Sequence, residues 1–406
     1  MPVKSVDVLV VGGGAVGLLV GAMLAQDGLD VLVVERRGHP PTRSRAIGMH
    51  PPGLDALALV DAAEPVLRTA VRVARGVATS RGRTLGTLSF AAASPRWPFV
   101  AALEQHRTEA VLRARLLAIA PGALRVGRTV SGIAQRGDRV VVTTTPTTTT
   151  PSPSTTGDPV VDEVEGVEVV EARFVVAADG ARSAIRTMLG VPADGRTYPD
   201  TYLMGDFHDP TPTPTGADRA AVVDVGAAGV VESFPLPDGV RRFVAWTPDL
   251  VSDSAPATTL AGIVAHRTGV EPDPTTATMT SAFRVHRRIV RRSVTDRVVL
   301  VGDAAHEISP IGGQGMNLGW LDAVALVPLL IAAVRTGGTV PVRELAAFQG
   351  RQLRRARVAA RQAEWNMALG RPTSARLLPA REALLRVVLA PPGGRLLANV
   401  YAMRFV

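Results

Sequence analysis

The chain has 406 residues, enough for a large core and two domains, and 46% of them are apolar. It contains no cysteine, which excludes disulfides, thiolate metal sites and cysteinyl attachment of a flavin, and no other metal-ligand cluster is read. The 45 basic residues exceed the 36 acidic ones by a net +9, spread along the chain without the aromatic-interleaved stripe of a nucleic-acid binder, so no nucleic-acid partner is expected.

Met1 to Lys4 run straight into an apolar strand and leave no room for a secretory leader, which points to the cytoplasm. Val6 to Val11 read as a buried parallel strand that breaks into Gly12, Gly13 and Gly14. A helix follows from about Ala15 to Gln26, with Ala15 and Val16 in its first turn. Gly12 allows the tight turn, Gly14 lets backbone approach a pyrophosphate, and Gly17 lets the helix pack closely on its strand. A second strand, Asp30 to Val34, ends on Glu35 and Arg36. The carboxylate of Glu35, placed to accept ribose hydroxyls, favours FAD or NAD over NADP. The stretch is a complete βαβ nucleotide cradle.

Arg43 and Arg45 sit on the next loop, before a helix at Pro52 to Val60. Val71 to Ser80 and Thr84 to Phe90 read as a hairpin, and Glu104 to Ile119 as a helix. Strands are expected at Arg128 to Gln135, Arg139 to Thr145, Val160 to Val170 and Phe174 to Ala178. The Thr/Pro/Ser tract at residues 146–159 is a flexible loop. Asp179 and Gly180 then form a second glycine turn before a helix, with Arg182 or Arg186 as counter-charge. Tyr198 to Trp246 supply β-type runs with scattered aromatics, weakly suggesting a flat apolar ligand. A last buried strand, Arg297 to Val301, ends in GDAAHEISPIGGQGMNLG, where Asp303 can bind ribitol or ribose hydroxyls. Gly312, Gly313 and Gly315 free the backbone before a helix near Met316, whose N-terminus can stabilise negative charge. Val324 to Val334, interrupted by Pro328, is a buried helix too short to span a bilayer. A long basic helix runs from Val342 to about Ala368, and the apolar, arginine-rich end from Leu377 caps the core by default, binds a partner subunit or lies on an anionic membrane.

GGGAVG with Glu35, AADGARSAIR at Ala177 to Arg186, and the Gly302 to Gly319 stretch resemble the three signatures of FAD-dependent group A aromatic monooxygenases, the para-hydroxybenzoate hydroxylase-like proteins. They stand in that family's order, and the likeness is greatest to bacterial aromatic polyketide hydroxylases, although the thioredoxin-like C-terminal domain many of those carry is not read. The resemblance implies an α/β fold: a discontinuous Rossmann-like FAD-binding domain (residues 1–70, 99–190 and 284–370), an inserted β-sheet-rich substrate domain (71–98 and 191–283), and a helical C-terminal segment (371–406). It places Arg45 against the FAD, Gln105 at the adenosine-side phosphates, Asp179, Gly180 and Arg186 at FAD and NADPH, Asp303 at the ribitol or pyrophosphate, Gly313 at the cofactor, and Gly315, Met316 and Asn317 along the flavin's pyrimidine edge.

The implied reaction uses NADPH or NADH to reduce FAD, which takes O2 as a C4a-hydroperoxide and hydroxylates an aromatic small molecule. The cofactor carries the chemistry, so no catalytic triad is expected. No catalytic base is identified. Arg45, His50 and Pro310 are catalytic candidates; His50, His208, His286 and His306 could each serve as a base by chemistry alone, and each also has a structural reading. Three other readings stay open: an epoxidase or quinone-ring hydroxylase at a membrane surface, a non-catalytic flavin-binding protein, and a lower-ranked NAD-dependent dehydrogenase. The isolated tryptophans lack the Trp-x-Trp-x-Ile-Pro signature of flavin halogenases. A monomer or homodimer is expected.

Overall fold

Strict burial on both faces is what makes the first strand central: Val8, Leu9 and Val10 are wholly excluded from solvent. A computed structural model describes residues 3–40, 42, 46–92, 94–147, 166–209, 219–252 and 254–403. Strand β1 (Val3–Val11), helix α1 (Ala15–Gln26) and strand β2 (Val31–Glu35) follow one another as the glycine turn dictates. Strand β1 pairs in parallel with β2 on one side and with Glu168–Ala177 on the other. Val298–Leu300 extends the parallel array, and the antiparallel hairpin Arg128–Arg136 with Arg139–Pro146 branches from Glu168–Ala177 to complete an eight-stranded sheet.

One correction concerns Glu168–Ala177. The runs expected as two strands, ending at Val170 and restarting at Phe174, are one strand. Glu171 and Arg173 mark its half-buried face and interrupt the apolar run without interrupting the ladder. Residues 160–165, and most of the tract read as a loop at 146–159, lie outside the described residues.

Each face of this sheet has its own cover. Val8, Val10, Val31, Val33 and Val176 pack with α1 and the central helix Gly315–Arg335 in one core. Leu9, Val11, Leu32, Val175 and Leu300 pack with the hairpin and with the helix Val342–Gly370. A fully buried leucine such as Leu18 or Leu24 contributes about 1.5–3 kcal/mol relative to exposure. The central helix is longer than the run from Val324 suggested. Its 21 residues are apolar enough to cross a membrane by length and composition, yet Leu318, Trp320, Ala323, Leu326 and Leu330 are sealed inside the protein.

A second eight-stranded sheet brings distant segments together. Its order is His306–Glu307, Met279–Val290, Ala193–His208, Val240–Thr247, Val231–Leu236, Ala221–Asp224, Arg75–Ser80 and Arg83–Ser89. Ala221–Asp224 joins Arg75–Ser80 in parallel, and Met279–Val290 runs through residues 283 and 284. One face is covered by the helix Pro256–Thr268, which buries Leu203, Phe207, Val231 and Phe243. The C-terminal helices Leu378–Leu389 and Gly393–Tyr401 lie on the edge strand Arg83–Ser89, where a side chain at Gly86 would meet Leu389 at 2.6 Å.

Candidate active site

The parallel strands β2, β1, Glu168–Ala177 and Val298–Leu300 all end at one side of the sheet, where ligands bind in open α/β folds. Their turns are Glu35–Arg37, Gly12–Gly14, Asp179–Gly180 and Gly302–Asp303. Gly12 sits at φ +109°, and a Cβ there would lie 2.3 Å from the Ala178 carbonyl oxygen. A Cβ at Gly17 would lie 1.9 Å from the Gly12 carbonyl oxygen. At Gly14, by contrast, the nearest neighbour would be Glu109 Oε1 at 3.6 Å, so the backbone is open there. Both α1 and the central helix point their N-termini at this side, with no bond from the side chain of the N-cap residue and no acidic residue in the first turn. Bare helix amides favour an anion.

Glu35 is buried, and both of its carboxylate oxygens accept hydrogen bonds. Its Oε2 accepts from the Gly13 amide at 2.6 Å, and its Oε1 accepts from the Arg37 amide at 3.0 Å and Arg37 Nε at 2.8 Å. Burial raises its pKa, but the bonds from Arg37 and Gly13 and the Arg37 charge outweigh that and hold it below the ordinary value of 4.5. A depressed folded pKa means this contribution to stability is complete above 4.5 and disappears as pH falls through the lower folded value. We therefore expect Glu35→Gln to unfold at lower denaturant than wild type at neutral pH. The gap should close on acidification, and a gap independent of pH would contradict the ion pair.

A second carboxylate occupies the N-terminus of α1. Glu109 Oε1 accepts from the Ala15 amide at 3.1 Å and from Gln105 Nε2 at 2.7 Å, while its Oε2 is buried without a partner. Burial pushes its pKa up. An anion already seated on the helix amides marks this position as fit for a phosphate, and Gln105 stands beside it.

Opposite the cradle, Asp179 Oδ2 accepts from the Ile185 amide at 3.1 Å, and Oδ1 is buried and unpaired. Arg186 bonds the Ala304 and Ala181 carbonyls at 2.9 and 2.7 Å and so ties two of the turns together. Asp303 is exposed to the cavity, and the protein packed around it pushes its carboxyl up to about 6. Asn317 is a clamp within the protein: its Oδ1 accepts from the His50 amide at 2.9 Å, and its Nδ2 donates to the Gly48 and Gly313 carbonyls at 3.0 and 3.1 Å. Burial lowers His50 to about 4, so its imidazole is neutral at physiological pH. His306 Nε2 meets Asp322 Oδ2 at 2.6 Å, and the same oxygen accepts from the Gly302 amide and Gln352 Nε2.

These groups border one cavity of about 1760 Å³, beyond the ~300–1,000 Å³ typical of a single small ligand. Gly12, Gly14, Ala15, Val16, Glu35, Arg36, His50, Gln105, Asp179, Gly180, Asp303, Pro310, Gly313, Gly315 and Met316 line it. Gly17, Arg186 and Asn317 stand behind its wall, and Arg45 lies outside the described residues. Sequence reasoning missed Arg37, which holds Glu35, along with Glu109, Asp322 and Trp320, whose indole donates to the Ala15 carbonyl at 3.0 Å. Of the aromatics in the second sheet, Phe234 lines the cavity, whereas Phe207 and Phe243 face the opposite side. Beyond the glycine loop at Gly312 the walls turn apolar, with Met204, Val223, Val244, Phe283, Leu385 and Leu389.

Glycine turns at parallel strand ends, an acid closing the second strand and two helix N-termini aimed at one side define a dinucleotide-binding α/β protein with an adjoining apolar chamber. The chain belongs to the FAD binding domain family, which residues 5–363 match. It is 32% identical over 340 residues to the rifampicin monooxygenase of Streptomyces venezuelae, covering 81% of this chain but only 64% of that protein. The chain thus spans less than two thirds of that relative's length. Among solved structures, the anhydrotetracycline hydroxylase of Streptomyces rimosus is 26% identical with a TM-score of 0.78, covering 99% of this chain and 77% of that one. The p-nitrophenol 4-monooxygenase of Pseudomonas putida shares the fold with a TM-score of 0.84 at 22% identity, over 98% of each chain.

The residues present fit FAD. The Gly14 approach and the α1 amides would take the pyrophosphate, Glu35 the ribose, Asp303 the ribitol, and the N-terminus of the central helix the flavin edge.

Proposed function

We propose that this protein is a cytoplasmic, FAD-dependent monooxygenase that hydroxylates an aromatic or polyketide-like small molecule using NADPH or NADH and O2. One observation carries the reading: the dinucleotide cradle and the apolar face of the second sheet open into a single cavity at the Gly312–Gly315 loop. Bound FAD would supply the redox and oxygen chemistry. The chain's part is to hold and seal. Segments 1–70, 99–190 and 284–370 hold the cofactor, segments 71–98 and 191–283 hold the substrate, and the C-terminal helices close the chamber with Leu385, Leu389, Val400 and Tyr401. Apolar walls exclude water that would divert the reactive oxygen. The relatives named for rifampicin, anhydrotetracycline and nitrophenol oxidation support this reaction class.

The test is anaerobic stopped-flow bleaching of the bound flavin by NADPH and NADH, with polycyclic phenols, quinones and lipophilic alkenes added in turn. Bleaching accelerated about 10-fold or more by one aromatic class is the expected result. No bleaching under any condition would overturn the self-reducing enzyme in favour of a non-catalytic flavoprotein.

A second reading has one observation behind it. Val387, Leu396 and Leu384 are 73%, 60% and 52% exposed on the C-terminal helices, beside cavity-lining Val388 and Leu397. A lipophilic substrate drawn from a membrane surface would suit that rim. Flotation with anionic liposomes is then expected, and protein that stays at the bottom of the gradient removes this reading.

A further inference from the structure

Glu232 has a place in the cavity that the cofactor does not explain. It lies on Val231–Leu236, where alternation sends neighbouring side chains to opposite faces. Val231 is buried against the helix Pro256–Thr268 with Leu203 and Val264. Glu232 and Phe234 therefore point the other way, into the cavity. Cross-strand register puts Glu232 opposite Val223 on one side and Val244 on the other. The row continues to Ala78 beyond Val223 and to Met204 beyond Val244, and every member lines the cavity. A single carboxyl thus stands in the middle of an apolar row.

Among the described residues no hydrogen bond or opposite charge acts on this carboxyl; burial alone shifts it, up to about 7. On the same face, Arg242 is taken by Asp206, at 2.6 and 2.7 Å. From Ala193–His208, two strands away across Val240–Thr247, comes Tyr202, with the Asp200–Arg371 pair beyond it, and from the last helix Tyr401, whose hydroxyl meets Asn366 at 2.7 Å. Burial keeps both tyrosines protonated. Glu232 is half-buried where it faces the cavity, so a ligand that fills the cavity strips the carboxyl of solvent and must offer it a donor in return.

We propose that Glu232 receives a phenolic hydroxyl of the substrate, accepting its hydrogen bond and then its proton. The inference rests on the monooxygenase reading above. In the transfer the substrate O–H bond breaks and a carboxyl O–H bond forms, while the electron pair stays on the phenol oxygen. No electrons pass to or from Glu232. The added electron density at the ring carbons ortho and para to that oxygen favours attack by electrophilic oxygen. A carboxyl titrating near neutrality is matched to such a shared proton. A substrate ammonium would call for several acceptors, and the row offers one.

The test is equilibrium binding to the flavin-loaded protein, by calorimetry, of 1-naphthol against 1-methoxynaphthalene and of 4-nitrophenol against 4-nitroanisole. Wild type is expected to prefer each phenol by about 10-fold or more. Its affinity for 1-naphthol should rise as pH passes about 7, where Glu232 ionises. Glu232→Gln should lose that pH step, and Glu232→Leu should lose the preference while melting no lower than wild type. Retention of both the preference and the pH step in the two variants would overturn the assignment, as would failure of every phenol to bind wild type. Bleaching by NADPH, measured on the same preparations, separates the two readings. Unchanged discrimination with intact bleaching sinks Glu232 alone, and absent bleaching with intact discrimination sinks the oxygenase.

Discussion

Gly12→Ala is expected to lose about 2–5 kcal/mol of stability and most of the bound flavin. Two separate effects meet at this residue. At φ +109° an L-residue is strained by about 1–3 kcal/mol, and the new methyl would lie 2.3 Å from the Ala178 carbonyl oxygen and 2.7 Å from its carbon. Those neighbours are backbone. Relief would have to separate β1 from the end of Glu168–Ala177, where Ala178 donates to the Val11 carbonyl at 2.8 Å, adding a similar overpacking cost. Gly28→Ala is the control, since Gly28 has φ +80° but nothing within 4 Å of a Cβ. It should cost about 1 kcal/mol and leave flavin retention unchanged. Urea denaturation of both variants, with flavin fluorescence after gel filtration, decides the matter. Equal losses at the two positions would show that only backbone strain is felt and that the close approach at Gly12 carries no weight.

Gly12 was legible because its signal is local: an apolar run, a glycine turn and a helical period lie within one short stretch. The same holds for the turns at Gly180 and Gly302, and for α1, whose expected and observed bounds coincide. What escaped depends on distance in the chain. Asp322 and Trp320 carried no assignment and Asn317 was placed only at the flavin edge, yet they bind the Gly302 amide, the Ala15 carbonyl and the His50 amide. No period in the helix announces those partners. Arg36 and Arg37 were indistinguishable because strand alternation ends at Glu35, and the ion pair falls to Arg37. Glu232 shows a further limit. Alternation places it opposite Val231, but only the assembled second sheet tells which face is covered by a helix and which borders the cavity.

Asp322→Ala should destabilise the protein by about 3–5 kcal/mol, because one buried oxygen answers three donors. Asp322 Oδ2 lies 3.0 Å from the Gly302 nitrogen, 2.6 Å from His306 Nε2 and 2.9 Å from Gln352 Nε2. It joins the central helix and the helix Val342–Gly370 to the turn carrying Asp303. Truncation would leave an amide, an imidazole and a carboxamide without their acceptor. Asp322→Asn separates charge from shape. Burial pushes His306 down, but the charge and hydrogen bond of Asp322, with the charge of Asp303, outweigh burial and hold it above the ordinary 6.5. A raised folded pKa means the imidazolium contribution is complete below 6.5 and is lost as pH rises through the folded value. Wild type should therefore exceed Asp322→Asn in stability by more at about pH 6 than at about pH 9 in urea titrations. A difference that stays the same at both would mean a neutral histidine pair, in which Asp322 acts as a hydrogen-bond acceptor and its charge adds nothing.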